Sequence, residues 1–151
     1  MNSFRKYLLL LARILLGVMW VLAGVEKIAD PSQFSRDISN YHLLPFGIEN
    51  TVAIILPWLE LFIGLSLIFG LYISSASLIS GVLMLVFVIF IAQAMVRGFN
   101  IECGCGLKEG QMVGWGKIFE NLLYFLGSYF ILIRKEKTLE ILPKVRLSSS
   151  T

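Results

Sequence analysis

Two thiols one residue apart, Cys103 and Cys105, stand in the polar, glycine-rich stretch IECGCGLKEGQMVGW, and they are the only cysteines of an otherwise apolar chain. A Cys-x-Cys spacing can bring the Cα atoms within the roughly 4.4–6.8 Å that a disulfide requires, and Gly104 lets the backbone close so small a ring. Strain in such a ring raises its reduction potential, so the pair reads as an exchangeable redox disulfide. A one-residue loop offers almost none of the unfolded-state restriction by which a structural disulfide stabilises. A passive disulfide or two inert buried thiols is the competing reading. Metal ligation ranks last, because a closed site wants about four ligands and the chain offers two cysteines and one histidine. No metal is expected.

Glu60 is the second residue placed to do chemistry. It lies about nine residues into an apolar run, so roughly 13 Å deep at about 1.5 Å per residue, where an ionisable group is costly and marks function by default. Pro57, three residues earlier, frees backbone groups and bends the helix near it. Glu60 suits a proton acceptor or a polar contact for a quinone head; tied to Arg13, Gln93 or Asn121 it would instead fix helix packing. Cys103, Cys105 and Glu60 are the expected catalytic set, and Glu60, Trp58, His42 and Asn121 the candidate contacts of a quinone cofactor. For His42, the only histidine, a solvated loop position is the plainer reading. Arg13 is expected to snorkel. Glu26 with Lys27, and Glu120 with Asn121, should come to the outer mouth as ordinary interface charges or as groups that tune the thiols. Lys27, Lys108 or Lys117 would favour a thiolate, and Glu102 would oppose one.

The elements that must position these residues are membrane helices. Of 151 residues, 57% are hydrophobic and 15% charged, and the mean hydropathy is +0.80, far from the balance of a soluble domain. Four apolar runs, 7–28, 51–73, 74–96 and 113–133, can each cross a hydrocarbon core of about 30 Å, which takes about 20 helical residues. Runs of that length imply helices and not barrel strands. The expected fold is all-α: a four-transmembrane-helix bundle over residues 1–134 with a basic cytoplasmic tail over 135–151. The first run follows Arg5 and Lys6 but is too long for a signal-peptide core and lacks a small-residue cleavage site, so it reads as a retained anchor.

Between the first two runs, Asp30 and Pro31 signal a helix start, with Gln33 placed for a capping box. Phe34, Ile38 and Tyr41 then recur at helical spacing, a pattern for a short outer helix in the interface that Pro45 ends. The turn over 72–75 makes the second and third spans antiparallel neighbours. Seven basic residues (Arg5, Lys6, Arg134, Lys135, Lys137, Lys144, Arg146) fall on one side, against five (Lys27, Arg36, Arg97, Lys108, Lys117) on the other. This bias puts both termini in the cytoplasm. The cysteines then face an oxidising compartment, and the basic tail lies along an anionic leaflet. Nothing suggests nucleic acid.

The stretches AGVEKIADPSQF, LLP, LPWLELFIGLSLIFGL, RGFNIECGCG and VGWGKIFENLLYF, in that order and spacing, resemble the MauE/DoxX family of redox-associated membrane proteins. The resemblance runs from about residue 9 to residue 134. It implies a bacterial inner-membrane bundle. In the methylamine-utilisation branch it implies maturation of a disulfide-rich periplasmic dehydrogenase subunit beside a thioredoxin-like partner; DoxX-like relatives are linked to sulfur-compound oxidation coupled to quinone. Family members often continue Cys-x-Cys with Phe-Gly, whereas Cys105 here is followed by Gly106 and Leu107. The expected function is a membrane thiol–disulfide redox protein passing electrons between a thioredoxin-like or disulfide-rich periplasmic partner and membrane quinone. The alternative is a non-catalytic assembly or maturation subunit for a periplasmic redox enzyme. A small-molecule transporter is disfavoured, because no pair of broken helices surrounds a midplane site.

Overall fold

In a computed structural model of the chain, the described residues are 3–42, 45, 47–98 and 114–133. They form five helices and, among them, no strand: α1 (Ser3–Ala29), α2 (Pro31–Asn40), α3 (Ile48–Phe69), α4 (Ile73–Val96) and α5 (Trp115–Leu132). Three stretches, Tyr7–Ala29, Ile48–Phe69 and Ile73–Val96, are long and apolar enough to cross a membrane. α5 has 18 residues, and Lys117, Glu120 and Asn121 in its first turns make it less apolar. It coincides with the fourth expected run. The expected tail over 135–151 lies outside the described residues.

Small residues set the closest helix contact. A Cβ added to Gly64 of α3 would stand 2.6 Å from the Gly17 carbonyl oxygen and 2.7 Å from the Val21 nitrogen, and one added to Gly24 would meet the Pro57 oxygen at 2.8 Å. α1 and α3 therefore touch backbone to backbone, as helices do in membranes where glycine permits it. Gly17 sits opposite Gly64 and Ile68, while Gly24 sits opposite Pro57 and Leu61, so the two helices run antiparallel. α4 packs extensively on α5 through side chains, and the two pairs meet more lightly along α3–α4 and α1–α5. Leu16, Trp20, Ile63, Leu67, Ile73, Met84 and Ile131 fill the centre.

α2 lies on α3 and touches α1, capping the bundle end where α1 finishes and α3 begins. Asp30 is its N-cap, accepting from the Gln33 amide at 2.9 Å, with Pro31 in the first turn. The reciprocal half of the expected capping box is absent. Gln33 turns its side chain along the helix instead, donating to Asp37 at 2.9 Å and accepting from Arg36 at 2.6 Å. α2 buries Phe34, Asp37 and Tyr41, and the Tyr41 ring rests on Phe90 of α4 at 6.0 Å.

Two boundaries differ from expectation. α2 stops at Asn40, ahead of Pro45, because His42 takes a left-handed conformation (φ 48°). α3 stops at Phe69 because Gly70 is left-handed (φ 79°) and the Gly70 and Leu71 amides both close on the Ser66 carbonyl, at 3.0 and 2.9 Å. That is the glycine C-terminal stop. It moves the α3–α4 turn ahead of the expected 72–75.

Candidate functional site

Glu60 is wholly buried, with 0% exposure, and Lys27 takes both of its oxygens, Nζ lying 2.9 Å from Oε1 and 2.8 Å from Oε2. A helical Cα–Cβ bond tilts toward its own N-terminus. In antiparallel helices this sends the Lys27 stem from the capped end down into the bundle and the Glu60 stem up to meet it. Lys27 lies two residues short of Ala29, the end of α1, where a lysine ordinarily sends its ammonium out to water. Here it is 7% exposed. Phe34 of α2 closes the outward route with its ring centroid 5.2 Å from Nζ, and Phe87 of α4 flanks the ammonium at 5.9 Å. Each ring face attracts the cation by about 0.5–1 kcal/mol at exposed sites and about 2 or more when water is excluded.

The column continues inward. Trp20 lies 6.3 Å from Phe87, ring to ring, and its indole Nε1 donates to the Ser80 hydroxyl at 2.8 Å. Ser80 and Ser128 share a further hydrogen bond of 2.8 Å. Lids, charges and hydroxyls from all five helices thus line one axis: Phe34, Lys27, Glu60, Phe87, Trp20, Ser80 and Ser128. A buried ion pair is a weak source of stability, because desolvation cancels much of its Coulombic gain and an apolar pair of equal volume often does as well. An ammonium and a carboxylate sealed together at that depth can, however, exchange a proton or part under a change at the cap. The pair is therefore the strongest candidate site among the described residues.

Two titratable groups of the cap are shifted. The Ser32 hydroxyl (2.7 Å) and then the Gln33 amide hold the Asp30 carboxyl below its ordinary range. Burial, and then the Asp37 charge, push the Tyr41 phenol above its own.

Lys27 replaces Arg13, Gln93 and Asn121 as the partner expected for Glu60. Asn121 is buried but donates to the Lys117 carbonyl of its own helix at 2.8 Å. Lys117, also buried, pairs with Glu120 at 2.7 Å, and Glu120 accepts from the Tyr124 hydroxyl at 3.2 Å. Arg13 is enclosed by the bundle instead of reaching the interface. Trp58 is 50% exposed; two residues from Glu60, it lies more than half a turn away, on the outer face of α3. His42 is exposed beside the end of α2. Of the four candidate quinone contacts, Glu60 and Asn121 are thus buried and Trp58 and His42 exposed. Cys103 and Cys105, with Glu102 and Lys108, lie outside the described residues. Among the described residues no group of three or more His, Cys, Asp or Glu could hold a metal ion.

Sequence reasoning missed Lys27 as the partner, and with it the rings of Phe34 and Phe87. One signal was there. Lys27 continues the stripe Leu16, Trp20 and Ala23 at steps of four, three and four residues, which is the buried face of a helix.

A family model described as "Methylamine utilisation protein MauE" matches residues 5–134. Three curated relatives carry the name methylamine utilization protein MauE. The protein of Paracoccus denitrificans is 31% identical over 115 residues, covering 74% of this chain and 61% of the relative. That of Methylorubrum extorquens is 33% identical over 121 residues, covering 78% and 64%. That of Methylophilus methylotrophus is 29% identical over 102 residues, covering 67% and 54%. This chain spans less than two thirds of the length of each. No solved structure matches it.

Proposed function

The chain belongs to the MauE family of methylamine utilisation proteins, and on that premise we propose that it is a four-span bacterial inner-membrane protein whose Cys103/Cys105 pair exchanges disulfides with a periplasmic thiol protein. α5 is the fourth span, with Lys117, Glu120 and Asn121 at its mouth. Both termini are cytoplasmic, and α2 is the outer interfacial helix. One observation carries the reading. Val96 ends α4 and Trp115 begins α5 at the bundle end that α2 caps, so the two helices bracketing the cysteine segment both meet it at the end of the bundle toward which Lys27 lies.

A thiolate of a thioredoxin-like or disulfide-rich partner attacks one sulfur of the Cys103–Cys105 disulfide, forming a mixed disulfide and releasing the other sulfur as a thiolate. The partner's second thiolate then resolves the mixed disulfide. The partner leaves oxidised, and Cys103 and Cys105 remain as thiols. Closing them again removes two electrons and two protons, for which a membrane quinone is the proposed acceptor class. No residue is assigned to hold it. The physiological role is maturation of a disulfide-rich periplasmic protein in methylamine utilisation.

The test is oxidation of a dithiol by the purified protein in detergent with a soluble quinone analogue as acceptor. Quinol formation that disappears when both cysteines are changed to serine is expected. Equal turnover without the cysteines, or none with them, removes the redox reading and leaves the non-catalytic assembly subunit.

A further inference from the structure

We infer that α2 is a proton-linked cap: seated, it holds the Lys27 ammonium down on the Glu60 carboxylate, and lifted, it frees the ammonium to water while Glu60 takes up a proton. The device uses no cysteine and stands apart from the disulfide chemistry.

The geometry points to it in three ways. First, Lys27 has two places to go. It stands at the C-terminal end of α1, where outward lie water and the negative end of the helix dipole, both favourable for a cation. Inward lies only Glu60. Second, Phe34 decides between them, because its ring covers the ammonium at 5.2 Å and belongs to α2 alone. Third, α2 is a short helix of ten residues that rests on the bundle by one face. Its buried face presents Phe34, Asp37 and Tyr41, and its further bond to α3, from the Ser35 hydroxyl to Asn50 at 2.6 Å, is exposed.

Charge bookkeeping fixes the coupling. A carboxylate left at that depth without its counter-charge neutralises by taking a proton, so one ammonium leaving is matched by one proton entering. Besides Arg5, Lys6 and Tyr7 at the far end of α1, the charged and titratable groups on the surrounding elements are Arg13, Glu26 and Lys27 of α1, Asp30, Arg36 and Asp37 of α2 and its cap with Tyr41 at its end, and Glu49 and Glu60 of α3. α4 carries none, and Lys117 and Glu120 of α5 engage each other. Asp37, itself acidic, leaves with the cap when it lifts and cannot serve as a counter-charge of Glu60. Acid favours the lifted state, and seating releases one proton.

Dicyclohexylcarbodiimide tests this, since it modifies carboxyl groups that are protonated in an apolar setting and spares ionised, ion-paired ones. The full chain in detergent is treated at neutral pH and the adduct on Glu60 is read by mass spectrometry. Wild type should resist, with modification rising as the pH falls. Lys27→Met and Phe34→Ala should each raise the neutral-pH adduct at least several-fold, and Phe34→Ala with Glu60→Gln should lose it. Phe34→Leu keeps apolar bulk without the ring face and carries the same expectation if the alanine variant fails to fold. Full modification of wild type at neutral pH, or none in Lys27→Met, overturns the pairing. Modification of Lys27→Met while both Phe34 variants resist like wild type overturns the role of α2.

Discussion

Changing Lys27 to Met strands Glu60, and the loss this causes can be worked from the structure. Removing one partner of a buried ion pair costs about 3–5 kcal/mol. Here the cost has a ceiling. The carboxylate is 0% exposed and escapes its predicament by taking a proton. In the unfolded chain an ordinary glutamate ionises near pH 4.3, so holding a proton at pH 7 costs about 3.7 kcal/mol at about 1.4 per pH unit. The ceiling falls with acidity, to about 1 kcal/mol at pH 5. The sign is definite: the variant folds with an extra proton, so it regains stability as pH falls. At about 2–4 °C per kcal/mol for a chain of this size, the midpoint should drop on the order of 10 °C at pH 7 and much less at pH 5. Thermal unfolding in detergent, followed by tryptophan fluorescence, measures both. Lys27→Met combined with Glu60→Met removes both charges and should recover to within about 1 kcal/mol of wild type. A Lys27→Met loss that is the same at pH 5 and pH 7 refutes the reasoning, because the ammonium would then be contributing packing and not charge.

Gly64→Ala should cost about 1–3 kcal/mol in the same melt, since the new Cβ stands 2.6 Å from the Gly17 oxygen; Gly81→Ala, whose nearest neighbours are at 3.7 Å, should cost nothing measurable. Ser80→Ala leaves the Trp20 indole N–H buried without its acceptor and should cost about 1–3 kcal/mol, and Ser128→Ala should cost less because Ser80 still serves Trp20. For topology, a membrane-impermeant maleimide should label Cys103 in intact cells after mild reduction. Labelling only after the cells are opened reverses the proposed orientation.

The helices were legible because lipid demands long uninterrupted apolar runs, and α2 because Asp30-Pro31 is a local signal. Glu60 stood out for the same reason, as an acid inside such a run. Its partner did not. Lys27 and Glu60 are 33 residues apart, and what brings them level is the register set by Gly17, Gly24 and Gly64, a property of two surfaces together that neither helix reveals alone. Lys27 read as an interface charge because its place at the helix end suits one; only Phe34, arriving from another helix, turns it inward. Trp58 looked close to Glu60 in sequence, yet helical rotation sets it on the opposite side. Gly70 was the missed local sign, a glycine stop that ends α3 before the turn expected after it.

The redox reading stands or falls on Cys103 and Cys105, and trapping tests it most directly. In a single-cysteine variant the remaining thiolate attacks the disulfide of the oxidised partner, and the mixed disulfide persists because the neighbouring sulfur that would release it is gone. With Cys103→Ser or Cys105→Ser, one of the two should therefore accumulate a covalent adduct with a thioredoxin-like periplasmic protein, seen on a non-reducing gel and lost on reduction. The double variant should trap nothing. Absence of any adduct in both single variants, together with full maturation of the partner in cells carrying them, contradicts the account.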